Sequence, residues 1–219
     1  MMPHQSIMSR LRRSETGLAA VEFALSAPLV LGIFLTGAEL TNYAVTKMRL
    51  SQIALHIADN AARIGTNSLL TAPQISEAQI NDLLIGANLQ AGNLRLHERG
   101  KVIISSLEPM ANPNTSNTYK IRWQRCYGLR AGNSSYGSQG ATGLEGMGPV
   151  QQRVTAPDTG AVMFVEVAYT YRPLLSARLL PSTTMRDIAA MTVRDDRHFA
   201  GNGGVGIYNN EGVTPSSCS

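Results

Sequence analysis

An α+β architecture, with one long N-terminal helix laid on a small antiparallel sheet, is the fold class this sequence predicts, and three observations carry it. Residues 18–40 read LAAVEFALSAPLVLGIFLTGAEL, apolar apart from Glu22 and Glu39. From Leu50 the apolar residues recur at steps of three and four, one face of an amphipathic helix. Beyond residue 100 the pattern changes to alternation with a period of two, in several segments with no helical pattern between them. An antiparallel sheet of that kind has an apolar face to bury, and the amphipathic half of the helix can cover it.

The first element is a membrane segment by length and polarity. As a helix, residues 18–40 rise to about 34 Å, the hydrocarbon thickness of a bilayer. Arg10, Arg12 and Arg13 precede the run, whereas Lys47 and Arg49 follow only after several polar residues. The positive-inside rule therefore predicts a cytoplasmic N-terminus and an exported C-terminal part. Three readings compete for the run: a removable secretory signal, an uncleaved anchor, and a prepilin-type signal cut before the apolar stretch. It is too long for the apolar core of an ordinary signal peptide. The pair Arg12-Arg13 is followed by Ser14-Glu15-Thr16-Gly17, which lacks the apolar character of a twin-arginine address.

Glu22 discriminates between the remaining two. A carboxylate five positions into an apolar run is expensive unless it has a partner or reaches the interface. Cleavage after Gly17 would create an α-amino group on Leu18, and Glu22 lies four residues on, one helical turn away. That amine, or the amine of a neighbouring subunit, would neutralise it. In an uncut anchor, Glu22 would instead sit at headgroup depth.

Residues 16–31, TGLAAVEFALSAPLVL, resemble the N-terminal signature of the TadE/TadG-like family, the pseudopilins of the tight adherence (Tad, Flp) pilus and secretion machinery. Gly17, Ala19, Ala20, Val21, Glu22, Phe23, Ala24, Leu25 and Pro28 fall in register with that signature, which is confined to the first fifth of the chain. The resemblance implies a minor pseudopilin (type IVc) in a bacterial inner membrane, cut by a prepilin peptidase between Gly17 and Leu18. It implies other pilins and Tad inner-membrane assembly proteins as partners. Phe23 stands where major pilins of this system tend to carry tyrosine. The chain is longer than the major subunits and shorter than the TadG-type proteins. On this reading residues 1–17 are a cytoplasmic leader, 18–40 the transmembrane segment, and 41–219 an exported pilin-like region. The alternative is an unprocessed single-span envelope protein whose exported part binds a partner or ligand.

After the membrane run, Leu50, Ile53, Ile57, Ala61 and Ile64 form the apolar face, with Gln52, His56, Asp59, Asn60 and Arg63 elsewhere around the helix. The expected helix covers residues 18–64 with Gly65 as its cap, and Pro28 is expected to kink it. A short helix is expected at about residues 75–85, with Ser76 as N-cap. Strands are expected at 101–107, 119–127, 161–171 and 188–193. In the second, Tyr119, Ile121 and Trp123 are expected to share one face. In the third, Met163, Val165, Val167, Tyr169 and Tyr171 share one, and Pro173 follows its end. The segment 165–175, VEVAYTYRPLL, also resembles the later part of TadE-like sequences, less specifically. Residues 128–160 are a long connection with seven glycines from Gly128 to Gly148 and few apolar residues, expected to be a disordered tether or a partner-contact loop. The tail from Gly201 is expected to be mobile unless Cys218 pins it.

Export would place Cys126 and Cys218 in an oxidising compartment, where a disulfide can form. It would close a loop of about 90 residues. Two lone thiols are the other reading, and metal ligation is disfavoured because no further ligand lies at the right spacing.

The search for catalytic chemistry yields little. Gly201-Asn202-Gly203-Gly204-Val205-Gly206 fits a dinucleotide fingerprint by letter, yet only 13 residues follow it, too few for the helix and distant acid that motif needs. Asp195, Asp196 and His198 read as a solvated turn after a strand, and His56 as a surface histidine. No nucleophile elbow, zinc-protease motif or phosphate loop occurs. The net charge is +4, of which Arg10, Arg12, Arg13 and Glu15 supply +2, and aromatic residues are 5%. A nucleic-acid partner is not expected from so small an excess and so few stacking residues. The expectation is a structural protein with no cofactor.

Overall fold

The computed structural model describes residues 15–65, 72–195 and 197–218, and side chains from residue 17 onward. The chain is α+β. Helix α1 (Glu15–Arg63) is followed by α2 (Glu77–Ala91), a 3₁₀ turn (Gly92–Leu94), the short α3 (Leu96–Arg99) and four strands. These are β1 (Gly100–Pro109), β2 (Tyr119–Tyr127), β3 (Val162–Thr170) and β4 (Thr184–Thr192). All pairings are antiparallel, in the order β2-β1-β3-β4.

α1 is a single element of 49 residues that continues through Pro28. It ends where expected, with Ile64 N–H donating to the Asn60 carbonyl and Gly65 at φ 155°. Its second half lies on β3 and β4 and packs beside α2. Leu50, Ile53, Ala54, Ile57, Ala58, Ala61 and Ala62 are all buried there against Val165, Val167 and Tyr169. The three alanines at 54, 58 and 61 are fully covered, so the helix approaches the sheet closely along a line of small side chains. α2 starts as its sequence dictates: Ser76 Oγ accepts from Gln79 N–H at 3.3 Å, and Gln79 Oε1 accepts from Ser76 N–H at 3.0 Å.

The strands depart from expectation in two instructive places. β4 starts at Thr184 rather than 188. Its inward row is Met185, Asp187, Ala189 and Met191, and the charged Asp187 interrupts the apolar alternation that would have revealed it. In β2 the faces switch midway. Tyr119 and Ile121 belong to the cluster on the face away from α1, whereas Trp123 belongs to the helix-side core. The register between β1 and β2 shifts by one residue between Ser105↔Gln124 and Leu107↔Ile121. Two residues of β2, Arg122 and Trp123, therefore oppose Ser106, a bulge that rotates the side-chain phase. β3 follows the expected alternation: Met163, Val165, Val167, Tyr169 and Tyr171 all enter the helix-side core.

The largest difference concerns residues 128–160. This connection forms a layer over the second face of the sheet. Met147 is fully buried with Leu107, Ile121, Val162 and Phe164, and Tyr136, Leu144 and Val154 pack around them. Backbone pairs tie it down: Tyr119 with Leu144 in both directions, at 2.7 and 2.9 Å, and Met147 with Val154, at 3.0 and 2.8 Å. Glycines open the layer. At Gly128 (φ 104°) a Cβ would fall 2.3 Å from the Gly100 carbonyl oxygen. β1 and the middle of the sheet are thus buried on both faces. The few apolar residues of the connection suffice because the sheet supplies the rest of the second core.

Candidate functional site

The residues singled out by sequence lie in two separate places. Gly17, Leu18 and Glu22 are all in the first turns of α1, with the Gly17–Leu18 bond two residues inside the start of the helix. Leu18 and Glu22 are exposed, and a Cβ added at Gly17 would meet nothing. The apolar window of this helix is wholly uncovered by the rest of the chain. Phe23, Leu25, Leu29, Leu31, Ile33 and Phe34 all face outward, in different directions around the helix. The helix is long and apolar enough to cross a membrane. Its hydroxyls are already satisfied without water: Thr36 Oγ1 donates to the Gly32 carbonyl and Thr41 Oγ1 to Gly37, each at 2.8 Å. Leu18 and Glu22 are one turn apart on the same side of the helix.

Glu39, at the other end of the apolar run, has a different environment. It is fully buried. Its carboxylate accepts from Tyr171 Oη–H at 2.8 Å and from Leu175 N–H at 2.7 Å. Asn42 Nδ2–H donates to the same tyrosine oxygen at 2.6 Å, and Tyr43 stands edge-on to its ring, centroids 5.3 Å apart. Burial first, and then the hydrogen bond to Glu39, push the Tyr171 hydroxyl pKa above its ordinary value. Two turns on, Lys47 Nζ reaches Asp187 at 3.1 Å, and Ser51 Oγ–H donates to the same carboxylate. The Glu39 lock was not legible in the sequence, where Glu39 is only a charge near the end of an apolar run. Its partners lie more than 130 positions away.

Cys126 and Cys218 are disulfide-bonded. The tail is laid along β2 and the start of α2: Cys126 N–H donates to the Ser216 carbonyl at 2.7 Å, and Ser216 Oγ–H to Asn81 at 2.6 Å. Earlier in the tail, Glu77 N–H donates to the Tyr208 carbonyl and Tyr208 N–H to that of Ile75. Beneath it, Arg125 and Glu77 form a buried ion pair, with Nε to Oε2 at 2.8 Å. The glycine cluster at 201–206 is a tight turn: at Gly201 (φ 61°) a Cβ would lie 2.4 Å from Ile207 N. Its Gly204 carbonyl accepts from Arg122 Nη1–H at 2.8 Å, so these glycines fold the tail back onto β2.

Of the acidic and histidine cluster, Asp196 lies outside the described residues, and His198 Nδ1 contacts Tyr208 Oη at 2.5 Å. His56 Nδ1 contacts Gln90 of α2 at 2.6 Å. Among the described residues, no three His, Cys, Asp or Glu side chains cluster as metal ligands. Arg197 is buried and donates to the Ala61 carbonyl at 3.0 Å near the end of α1. Loss of hydration lowers its pKa to about 10. No protein-family model, curated protein or solved structure matches the chain.

Proposed function

We propose that the chain is a membrane-anchored minor pseudopilin of a Tad-type pilus assembly or secretion system, a structural subunit and not an enzyme. The observation that carries this reading is the division along α1. Its second half is committed to its own sheet, whereas its first half is apolar around its circumference and uncovered up to Glu39, with the exposed carboxylate of Glu22 near its start. The family resemblance of residues 16–31 supplies the machinery to which such a helix would belong. In this reading a prepilin peptidase cuts between Gly17 and Leu18, and the new amine of this subunit or its neighbour pairs with Glu22. The apolar helices of pilins, other pseudopilins and Tad inner-membrane assembly proteins then pack side by side, driven by close van der Waals contact.

N-terminal sequencing of the mature protein from cells with an active prepilin peptidase tests it. A start at Leu18 is expected. A start at Met1 selects the unprocessed single-span envelope protein, and a start beyond Glu39 selects a removable signal. Gly17→Phe should leave the precursor uncut. Glu22→Ala should impair incorporation into the filament far more than insertion into the membrane, and normal assembly by that variant would count against the pairing.

A further inference from the structure

The connection between β3 and β4, RPLLSARLLPS over residues 172–182, leaves Leu174, Leu175 and Leu179 with relative exposures of 65%, 49% and 41%. Arg172 and Arg178, exposed among them, make no ion pair with the described residues. Exposed leucines and unpaired arginines in one short segment are a poor surface for bulk water and a good one for a lipid headgroup region, where leucine enters the acyl boundary and arginine meets phosphate.

Its position makes that match specific. Leu175 N–H donates to the Glu39 carboxylate, and Tyr171, just before the segment, donates to the same group. Glu39 is the penultimate residue of the apolar run, so the segment is held at the level where that run ends. If the helix spans a bilayer, that level is the membrane–water interface on the side of the sheet. Leu35 and Leu40, near the same end of the apolar run, are also exposed.

We infer that residues 172–182 form an interfacial foot that rests in the phospholipid headgroup layer, with Leu174, Leu175 and Leu179 against the acyl chains and Arg172 and Arg178 on phosphates. Glu39 is then a positioning residue that fixes the angle between helix and foot. The inference rests on the membrane-spanning part of the reading above and not on assembly into a pilus.

Depth-dependent quenching tests it with the full chain in vesicles of phosphatidylcholine and phosphatidylglycerol that carry bromine either near the headgroup or near the chain ends. Trp123 is the chain's one tryptophan and is buried in its core, so the wild-type signal can be subtracted. A tryptophan introduced by Leu179→Trp should be quenched about twofold more strongly by the shallow bromines than by the deep ones, as for a segment lying about 5–10 Å into the interface. Leu174→Trp, at a more exposed position, should agree and guards against misfolding of the first variant. Leu29→Trp, near the middle of the span, should show the opposite order. Quenching of the Leu29→Trp protein without quenching of either loop variant overturns the foot and leaves the span standing. Absence of quenching in all three overturns the span itself and the foot with it.

Discussion

The two halves of α1 share one backbone geometry but face different surroundings. From residue 50 to 62 the apolar side chains occupy one stripe, alanines recur where the sheet comes closest, and the stripe is buried. From residue 18 to 40 apolar side chains surround the helix, and Phe23 and Leu25 are about three-quarters exposed, at 73% and 76%. A stripe needs a partner within the chain, whereas an apolar circumference needs an apolar solvent or other helices of its kind. Between them stands Glu39, whose lock with Tyr171 and Leu175 makes the angle between the halves and the sheet a property of the fold.

The contrast can be broken most sharply in the buried half. Ile57→Ala should lower the unfolding free energy of the folded region by roughly 2–5 kcal/mol in denaturant titration, because a covered side chain leaves a cavity. The matching change in the exposed half, Leu29→Ala, should leave that titration unchanged. Leu29→Asp should reveal the other solvent, costing about 2.5–3.5 kcal/mol of insertion at the centre of the span. Its readout is the membrane-integrated fraction, while the denaturant midpoint stays fixed.

Glu39→Ala addresses the junction. It should cost roughly 1.5–3 kcal/mol, the range for hydrogen bonds to a charged acceptor, since two donors lose theirs. Ala58→Leu should cost about 1–3 kcal/mol by forcing helix and sheet apart, and Ala24→Leu in the exposed half should cost the folded region nothing.

The smallest effect is a pH dependence of buried carboxyls in the sheet. Burial raises the pKa of Glu166, against the hydrogen bonds from Ser134 and Ser135, and burial likewise raises that of Glu108 against Arg122. A carboxyl with a raised folded pKa holds its proton more tightly folded than unfolded. Its contribution is fully present below the unfolded value near 4.5 and is lost as pH rises through the folded value. The stability of the wild type relative to Glu166→Gln should therefore fall as pH is raised from that value. A difference that rises over the same interval would show that the hydrogen bonds outweigh burial.

Much of the helix-side core was readable because its signals are local and periodic. The step of three and four from Leu50, the alternation of Met163 to Tyr171 and the Ser76 cap each state their structure within a few residues. The bulge at Arg122 and Trp123 was not readable, since a bulge is a relation between two strands and leaves no mark in the alternation of one. The layer formed by residues 128–160 was not readable for a related reason. Met147, Leu144 and Tyr136 are too sparse to announce a layer, yet each meets a sheet face that needs covering. The candidate site divides likewise. Gly17, Leu18 and Glu22 are legible from spacing alone, whereas Glu39 and the β3–β4 connection acquire their roles only when brought together.

By itself, then, the order of residues determined where the chain is apolar all round, where it is apolar on one side, and which carboxylate stands inside the apolar run. Those are properties of short windows, set by helical and strand periods. Tertiary structure alone decided that Cys126 meets Cys218, that a glycine-rich connection becomes the second wall of the sheet, and that Glu39 receives Tyr171 and Leu175. Each joins groups separated along the chain, and only the tail folding along β2, the connection folding over the second face, and the sheet packing against α1 bring them into contact.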